Sequence, residues 1–125
     1  MVPFALDAAA PSFIIHVSAL APHTRDMLEH PRISLLIVAP DDDALPQARA
    51  RATIQGEAAQ LAADRPAYAA AKSLYLGRFP QSADIFALPD FSLFAIRPLS
   101  VRFIGGFAQA VSLNVDEFAR FLGEG

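Results

Sequence analysis

No cysteine occurs in this sequence of 125 residues. Disulfides, thiolate nucleophiles, iron–sulfur clusters and cysteine-ligated zinc sites are therefore excluded, and the absence agrees with the cytoplasmic location that we predict. An excess of positive charge is missing too, since 10 Lys and Arg residues stand against 13 Asp and Glu residues. Because the footprint of a nucleic-acid-binding protein is basic, no nucleic acid is expected as a partner.

Long apolar runs are also missing. The longest apolar stretch falls well short of the about 20 residues that a membrane-spanning helix needs, and the N-terminus lacks the basic region of a signal peptide. We therefore expect neither membrane association nor export. Apolar residues as a class are nevertheless abundant, at 54%, where about 45–50% is usual for a soluble domain. The length fits one domain with a single core, and the apolar surplus indicates an oligomer.

Residues 13–38 carry the pattern that says most about function: a strand, a short helix and a second strand. Pro22 suits the first helical turn, and Pro31 ends the helix before a β-branched run begins. Free N–H groups at the helix start, beside the His23 ring and the Thr24 hydroxyl, suit an anion such as a cofactor phosphate. An ordinary connecting helix with its apolar side chains in the core explains the same spacing.

The rest of the chain predicts a mainly β protein, an antiparallel barrel with a few helices. The first half should form a hairpin of residues 1–6 and 12–18, a strand at 33–39 buried on both faces, and a strand at 49–58 with one polar face and a bulge at Gly56. A helix of residues 64–78, capped by Asp64, and a helical turn within 81–88 should follow. The chain should end with strands at 91–97 and 101–104 and a short helix capped by Asn114.

Four blocks of sequence follow one another in a fixed order. They are Val2-Pro3-Phe4-Ala5-Leu6-Asp7, residues 18–28, Pro31-Arg32-Ile33-Ser34-Leu35-Leu36, and Gly105-Gly106-Phe107 with Ala110. Together they closely resemble the FMN-binding split-barrel family related to pyridoxamine 5'-phosphate oxidase, and within it the branch of haem-utilisation proteins. The resemblance covers almost the whole chain. It implies an FMN-binding split β-barrel, a single domain over residues 1–125, and a small homodimer with flavin at the subunit interface.

The same resemblance implies a set of cofactor contacts. Ser18 and Ala19 would lie near the ribityl chain and phosphate, and His23 and Thr24 stand where the family has an Arg-Lys pair. The backbone of residues 2–4 would run beside the isoalloxazine ring. The implied contacts are therefore Val2, Pro3, Phe4, Ser18, Ala19, His23 and Thr24.

Two further residues are candidates for cofactor binding. Arg51, on the polar face of its strand, approximately matches a position where the family places a polar side chain on the cofactor, and its guanidinium would stabilise an anionic reduced flavin. A solvated arginine paired with Glu57 or Asp43 is the alternative. Phe107 follows two glycines that let the backbone come close to a flavin or a haem.

FMN binding is the predicted function, with flavin-dependent oxidoreductase activity on an unknown substrate if the protein is an enzyme. The alternatives are a haem-binding or haem-degrading protein on the same fold and a cofactor-free structural relic. His16 and His30 read as structural residues, although a single histidine suffices as an axial haem ligand. The pattern identifies no catalytic acid or base and no separate metal site.

The chain departs from the family pattern at two places, which predicts a weakened cofactor site. Relatives carry a helix and a strand hairpin before the Val-Pro-Phe block, whereas this sequence begins at Met1-Val2-Pro3. The family's Gly-Gly-Phe-Gly-Arg-Ala run is here Gly105-Gly106-Phe107-Ala108-Gln109-Ala110, which lacks the arginine and one glycine. We therefore expect either that the true start lies upstream of Met1, or that the domain lacks the family's N-terminal helix and first strand or strands and has a weakened site.

Overall fold

The structure, a computed structural model, describes residues 2–7, 11–38, 51–104 and 110–113. Within these residues one antiparallel sheet runs in the order β1-β2-β5-β4-β3, with β6 paired to β5. This confirms the predicted mainly β architecture. The elements are β1 (Ala5–Asp7), β2 (Ser12–Ser18), α1 (Pro22–Glu29), β3 (Arg32–Val38), β4 (Arg51–Gln60), α2 (Pro66–Arg78), a 3₁₀ segment (Pro80–Ala87), β5 (Phe91–Ile104) and β6 (Ala110–Leu113).

Strand β5 is the central strand of the sheet. Its first half pairs with β2, most of its length pairs with β4, and its end pairs with β6. The prediction of two separate strands here is wrong, because the chain continues through Pro98 without a break. Pro98 lies opposite Gly56, where the register of β4 shifts, and a bulge is a position that tolerates a proline within a strand. The predicted bulge at Gly56 is confirmed.

Strand β3 is not buried on both faces, and that prediction is wrong. Ile33, Leu35 and Ile37 are half-buried against the core, whereas Ser34 is exposed and Leu36 is 66% exposed. Among the described residues β4 is the only element in substantial contact with β3, so nothing there packs over the face that carries Ser34 and Leu36.

Both described α-helices begin with a proline in the first turn. Pro22 opens α1 as predicted, and Pro66 opens α2 after an extended Arg65. Arg65 is thus the N-cap, and the predicted cap Asp64 is wrong by one residue, because a residue before proline is pushed out of the helical region. Within the described residues no helix is long and apolar enough to cross a membrane. The predicted helix after Asn114 lies outside the described residues.

Two apolar clusters pack on opposite faces of the sheet. Because side chains alternate along a strand, β2 and β5 contribute to both clusters, and each large side chain buried this way contributes about 1.5–3 kcal/mol. The inner cluster consists of Phe13, Ile15, Val17, Met27, Ile54, Ala58, Phe94, Ile96 and Val101. The outer cluster, beneath α2, consists of Ala5, Ile14, Ala71, Tyr75 and Leu93.

Candidate functional site

A cavity of about 720 Å³ opens beside the inner cluster. Residues 2–4, which lead into β1, line it together with β3, and β1 and β3 are the two ends of the described sheet order. The curled sheet therefore brings opposite edges to one space, and its volume falls in the range of about 300–1,000 Å³ that is typical of small-molecule sites. The lining residues are Val2, Pro3, Phe4, Phe13, Ile15, His23, Asp26, Met27, Ile33, Ser34, Leu35, Leu36, Ile37, Arg78, Phe79 and Ile96.

The cavity lining is largely apolar. Its polar members are His23 and Asp26 on α1, Ser34 on β3, and Arg78 at the end of α2. The Ser34 hydroxyl already donates to Gln55 Oε1 at 2.9 Å. Among the described lining residues, one imidazole, one carboxylate and one guanidinium are left to meet a ligand, which suits a large apolar molecule with a few charged groups.

Arg78, at the end of α2, contacts residues 2–4 through Phe4. Its Nη1 donates to the backbone oxygen of Phe4 at 2.6 Å, and its guanidinium lies 4.9 Å from the Phe4 ring centre and 5.2 Å from that of Phe79. A guanidinium carries five N–H donors, so this single hydrogen bond leaves others for a ligand. Arg78 thus shapes one wall of the cavity and places a positive charge there.

The corner between β2 and α1 is closed by hydrogen bonds within the chain. The Thr24 hydroxyl, buried at 3% exposure, donates to the Ser18 backbone oxygen at 2.7 Å. The Ser18 hydroxyl donates to Asp90 Oδ2 at 3.2 Å and accepts the Leu20 N–H at 3.1 Å, while the Ala19 N–H donates to the Asp90 backbone oxygen at 2.6 Å. Both hydroxyl protons expected at a cofactor are therefore used to build this corner.

The structure brings together four of the residues expected at the cofactor. Val2, Pro3, Phe4 and His23 all line the cavity. Ser18, Ala19 and Thr24 lie at the corner just described, and none of the three lines the cavity.

Arg51 and Phe107 stand apart from that group. Arg51 is half-buried at the first residue of β4, paired with Val38 and Ile104, and does not line the cavity. Glu57, one of its suggested partners, lies 3.8 Å from Arg32 and 3.4 Å from Arg97. Phe107 lies outside the described residues.

The two other histidines also lie away from the cavity. His16 points from β2 toward α2, and its ring stacks on Phe86 with 3.9 Å between centres. Burial, and secondarily the nearby Lys72 ammonium, lowers the pKa of His16 from its ordinary value of 6.5. His30 is the exposed C-cap of α1. These placements fit the structural roles that the sequence indicated for both.

Sequence reasoning missed several residues of the cavity, among them Asp26, Arg78 and Phe79. Arg78 reads in the sequence only as the last residue of a helix before Pro80. A cationic side chain beside an aromatic one at such a helix end was the available signal, but its proximity to Phe4 depends on contacts across 74 positions of the chain.

The chain is similar to several known proteins, although no family model matches it. It is 38% identical over 120 residues to the non-canonical heme oxygenase HOZ, chloroplastic, of Arabidopsis thaliana, across 96% of this chain and 35% of that protein. It is 26% identical over 112 residues to the heme oxygenase HutZ of Vibrio cholerae, across 88% of this chain and 64% of that protein. The chain thus spans less than two thirds of either relative.

Solved structures show the same fold. A heme binding protein from Mycobacterium smegmatis superposes with a TM-score of 0.83 at 30% identity, over 95% of this chain and 48% of that one. Pyridoxamine 5'-phosphate oxidase-like structures superpose with TM-scores of 0.57 to 0.60 at 15 to 19% identity, which shows the fold alone. The chain therefore has the split-barrel fold of the proteins related to pyridoxamine 5'-phosphate oxidase and resembles their haem-utilisation branch.

Proposed function

We propose that this chain binds haem in the cavity between residues 2–4 and β3, and that it takes part in haem degradation. The observation that carries the proposal is the lining, in which mainly apolar walls enclose about 720 Å³ with one imidazole and one guanidinium among them. Haem is a wide apolar plane with two carboxylates and an iron that takes an axial ligand. Relatives whose names refer to haem support this choice over flavin.

The described residues fit such a ligand. His23 is the histidine of the cavity lining and the candidate axial ligand, and Arg78 is the candidate partner of a carboxylate. The partly exposed side chains of Phe4, Leu35 and Ile37 in the lining would pack against the macrocycle and exclude water. When bound, haem would supply a redox-active iron at which dioxygen is activated.

FMN is the second candidate ligand, because four residues expected at a flavin line the same cavity. The phosphate is the part of FMN for which the described residues offer the fewest binding groups. The Thr24 hydroxyl already donates to the Ser18 backbone, and the charged Arg-Lys pair of the family is replaced by His23 and Thr24. Charge-assisted hydrogen bonds are about twice as strong as neutral ones, so a phosphate would be held less tightly here.

Parallel titrations of the purified chain with haemin and with FMN, followed by absorption, test the proposal. We expect saturable, one-to-one haemin binding with a shifted haem absorption band, and FMN binding at least tenfold weaker. His23→Ala should change the band and lower the haemin affinity, whereas His30→Ala, outside the cavity, should leave both unchanged. FMN binding without haemin binding would overturn the proposal in favour of a flavoprotein, and binding of neither would favour a cofactor-free relic.

A further inference from the structure

His16 sits in an aromatic box on the outer face of the sheet, away from the cavity. The box consists of His16, Tyr75, Phe86 and Phe91. The imidazole is stacked on Phe86, 3.9 Å between centres and 10° between planes, with Phe91 tilted at 5.2 Å and Tyr75 edge-on at 5.8 Å. Three elements besides β2 therefore meet at one titratable ring: α2, the 3₁₀ segment and β5.

The 3₁₀ segment depends on this box for its attachment. It contains no buried residue, and Phe86 is its partly buried side chain that packs against the outer cluster. The Phe86 ring contacts His16 and Tyr75, and Lys72 Nζ lies 5.1 Å from its centre. The segment directly follows Arg78 and Phe79, which line the cavity. The aromatic box thus holds the segment that continues from the cavity wall.

Among the described residues, the charged group that acts on His16 is the Lys72 ammonium. Lys72 and Tyr75 face it from α2, and burial raises the pKa of the Tyr75 hydroxyl, which keeps it neutral. The 3₁₀ segment and β5 present phenylalanines. The acidic residues of this region are Asp84, in the 3₁₀ segment, and Asp90, which precedes β5 and accepts the Ser18 hydroxyl.

We propose that His16 attaches the 3₁₀ segment to the sheet in a pH-dependent way. The neutral imidazole stacks on Phe86 and holds the segment against the sheet. The protonated ring adds a second positive charge beside Lys72 at a half-buried position, and the segment then detaches. Detachment loosens the chain next to Arg78 and Phe79, so the cavity wall is linked to the protonation of His16. The proposal holds whichever ligand the cavity takes.

Two opposing effects act on the protonated ring. A cation over an aromatic face is attracted to it, but Lys72 already occupies that interaction with Phe86. Burial of the ring and the Lys72 charge both oppose protonation and lower the pKa of His16. The stabilisation is therefore complete above about pH 6.5, the unfolded value, and declines as the pH falls from there through the folded pKa.

The test is the hydrogen-exchange protection of the backbone amides of residues 80–88 in the ligand-free protein, measured between pH 7.5 and 5 and corrected for intrinsic exchange rates. NMR titration of the three histidines gives the pKa of His16 in the same sample. We expect protection of the segment to fall as the pH drops from about 6.5 to the measured pKa of His16 and to level off below it, by about tenfold in total for each pH unit between the two values. His16→Phe keeps an aromatic ring without a titrating group and should make the protection independent of pH.

Two more variants complete the test. His16→Gln should give low, pH-independent protection, because it removes both the ring and the charge. His30→Gln, at an exposed cap, should retain the wild-type pH dependence. The same pH dependence in wild type and His16→Phe would overturn the proposal, as would constant protection across the range in which His16 titrates.

Discussion

At the scale of single residues, Arg78 contributes most to the cavity. It combines a hydrogen bond to the Phe4 backbone with contacts to two aromatic rings. Its place in the last turn of α2 is favourable because the helix dipole attracts a cation there. The same residue is therefore both a structural clasp for residues 2–4 and a charge available to a ligand.

Removing the Arg78 charge should release residues 2–4. We expect Arg78→Met to speed hydrogen exchange of residues 2–7 and to lower the free energy of unfolding by about 1 kcal/mol, since a cation–π contact and a hydrogen bond are lost at an exposed position. Arg65→Met, at the opposite end of the same helix, is the matched control in urea denaturation. Equal effects of the two substitutions would contradict the role of Arg78 in holding residues 2–4 against α2.

At the scale of elements, the bulge between β4 and β5, where β5 has the extra residue Leu99, depends on Gly56 of β4. A Cβ at Gly56 would lie 2.9 Å from Ile96 Cγ2 and 3.1 Å from the Arg97 backbone oxygen. Ile96 is fully buried, so it has no room to move aside. The bulge thus brings β4 and β5 closer together than a side chain at this position allows.

Two glycine substitutions should have opposite effects on stability. Gly56→Ala should destabilise the protein by about 1–3 kcal/mol through overpacking. Gly77→Ala, in α2 with no atom within 4 Å of the added Cβ, should stabilise it by about 0.5–1 kcal/mol, because alanine favours the helix and restricts the unfolded chain. Chemical denaturation measures both. A neutral Gly56→Ala would show that the two strands can separate at the bulge.

At the scale of the whole molecule, the described surface carries several exposed apolar side chains. Leu20 is 85% exposed, Leu28 58% and Leu36 66%. Leu36 lies on β3, which is an end of the described sheet order and also lines the cavity. A second copy of the chain packed on β3 would cover Leu36 and complete the cavity wall.

We therefore expect a homodimer in solution. Sedimentation equilibrium at micromolar concentration should give twice the mass of one chain. Leu36→Lys should shift the equilibrium toward monomer, because a charge would be buried in the interface, whereas Leu74→Lys on α2 should not. A monomeric wild-type protein would remove both the dimer and any ligand site that it shares.

The sequence was sufficient for features set by neighbours along the chain. The β1–β2 hairpin, the proline start of α1, and the bulge at Gly56 were all predictable, because turn chemistry, fixed backbone angles and strand alternation act over a few residues. The ordered blocks also indicated the family, and they placed Val2, Pro3, Phe4 and His23 at what became the cavity. Two errors in the predicted elements involve a proline. Pro66 makes Arg65, not Asp64, the N-cap of α2, and β5 continues through Pro98 where a break was expected.

Tertiary structure alone decided the rest. Whether the apolar strand β3 is central or at an edge depends on strand order, which periodicity does not contain. The Ser18 hydroxyl could serve a ligand or the chain itself, and it donates to Asp90, 72 positions later in the sequence. Arg78 and His16 acquire their surroundings from segments distant in sequence. The sequence by itself determined the local elements and the family, while the sites arose from the closure of the sheet, because long-range contacts fix which side chains share one space.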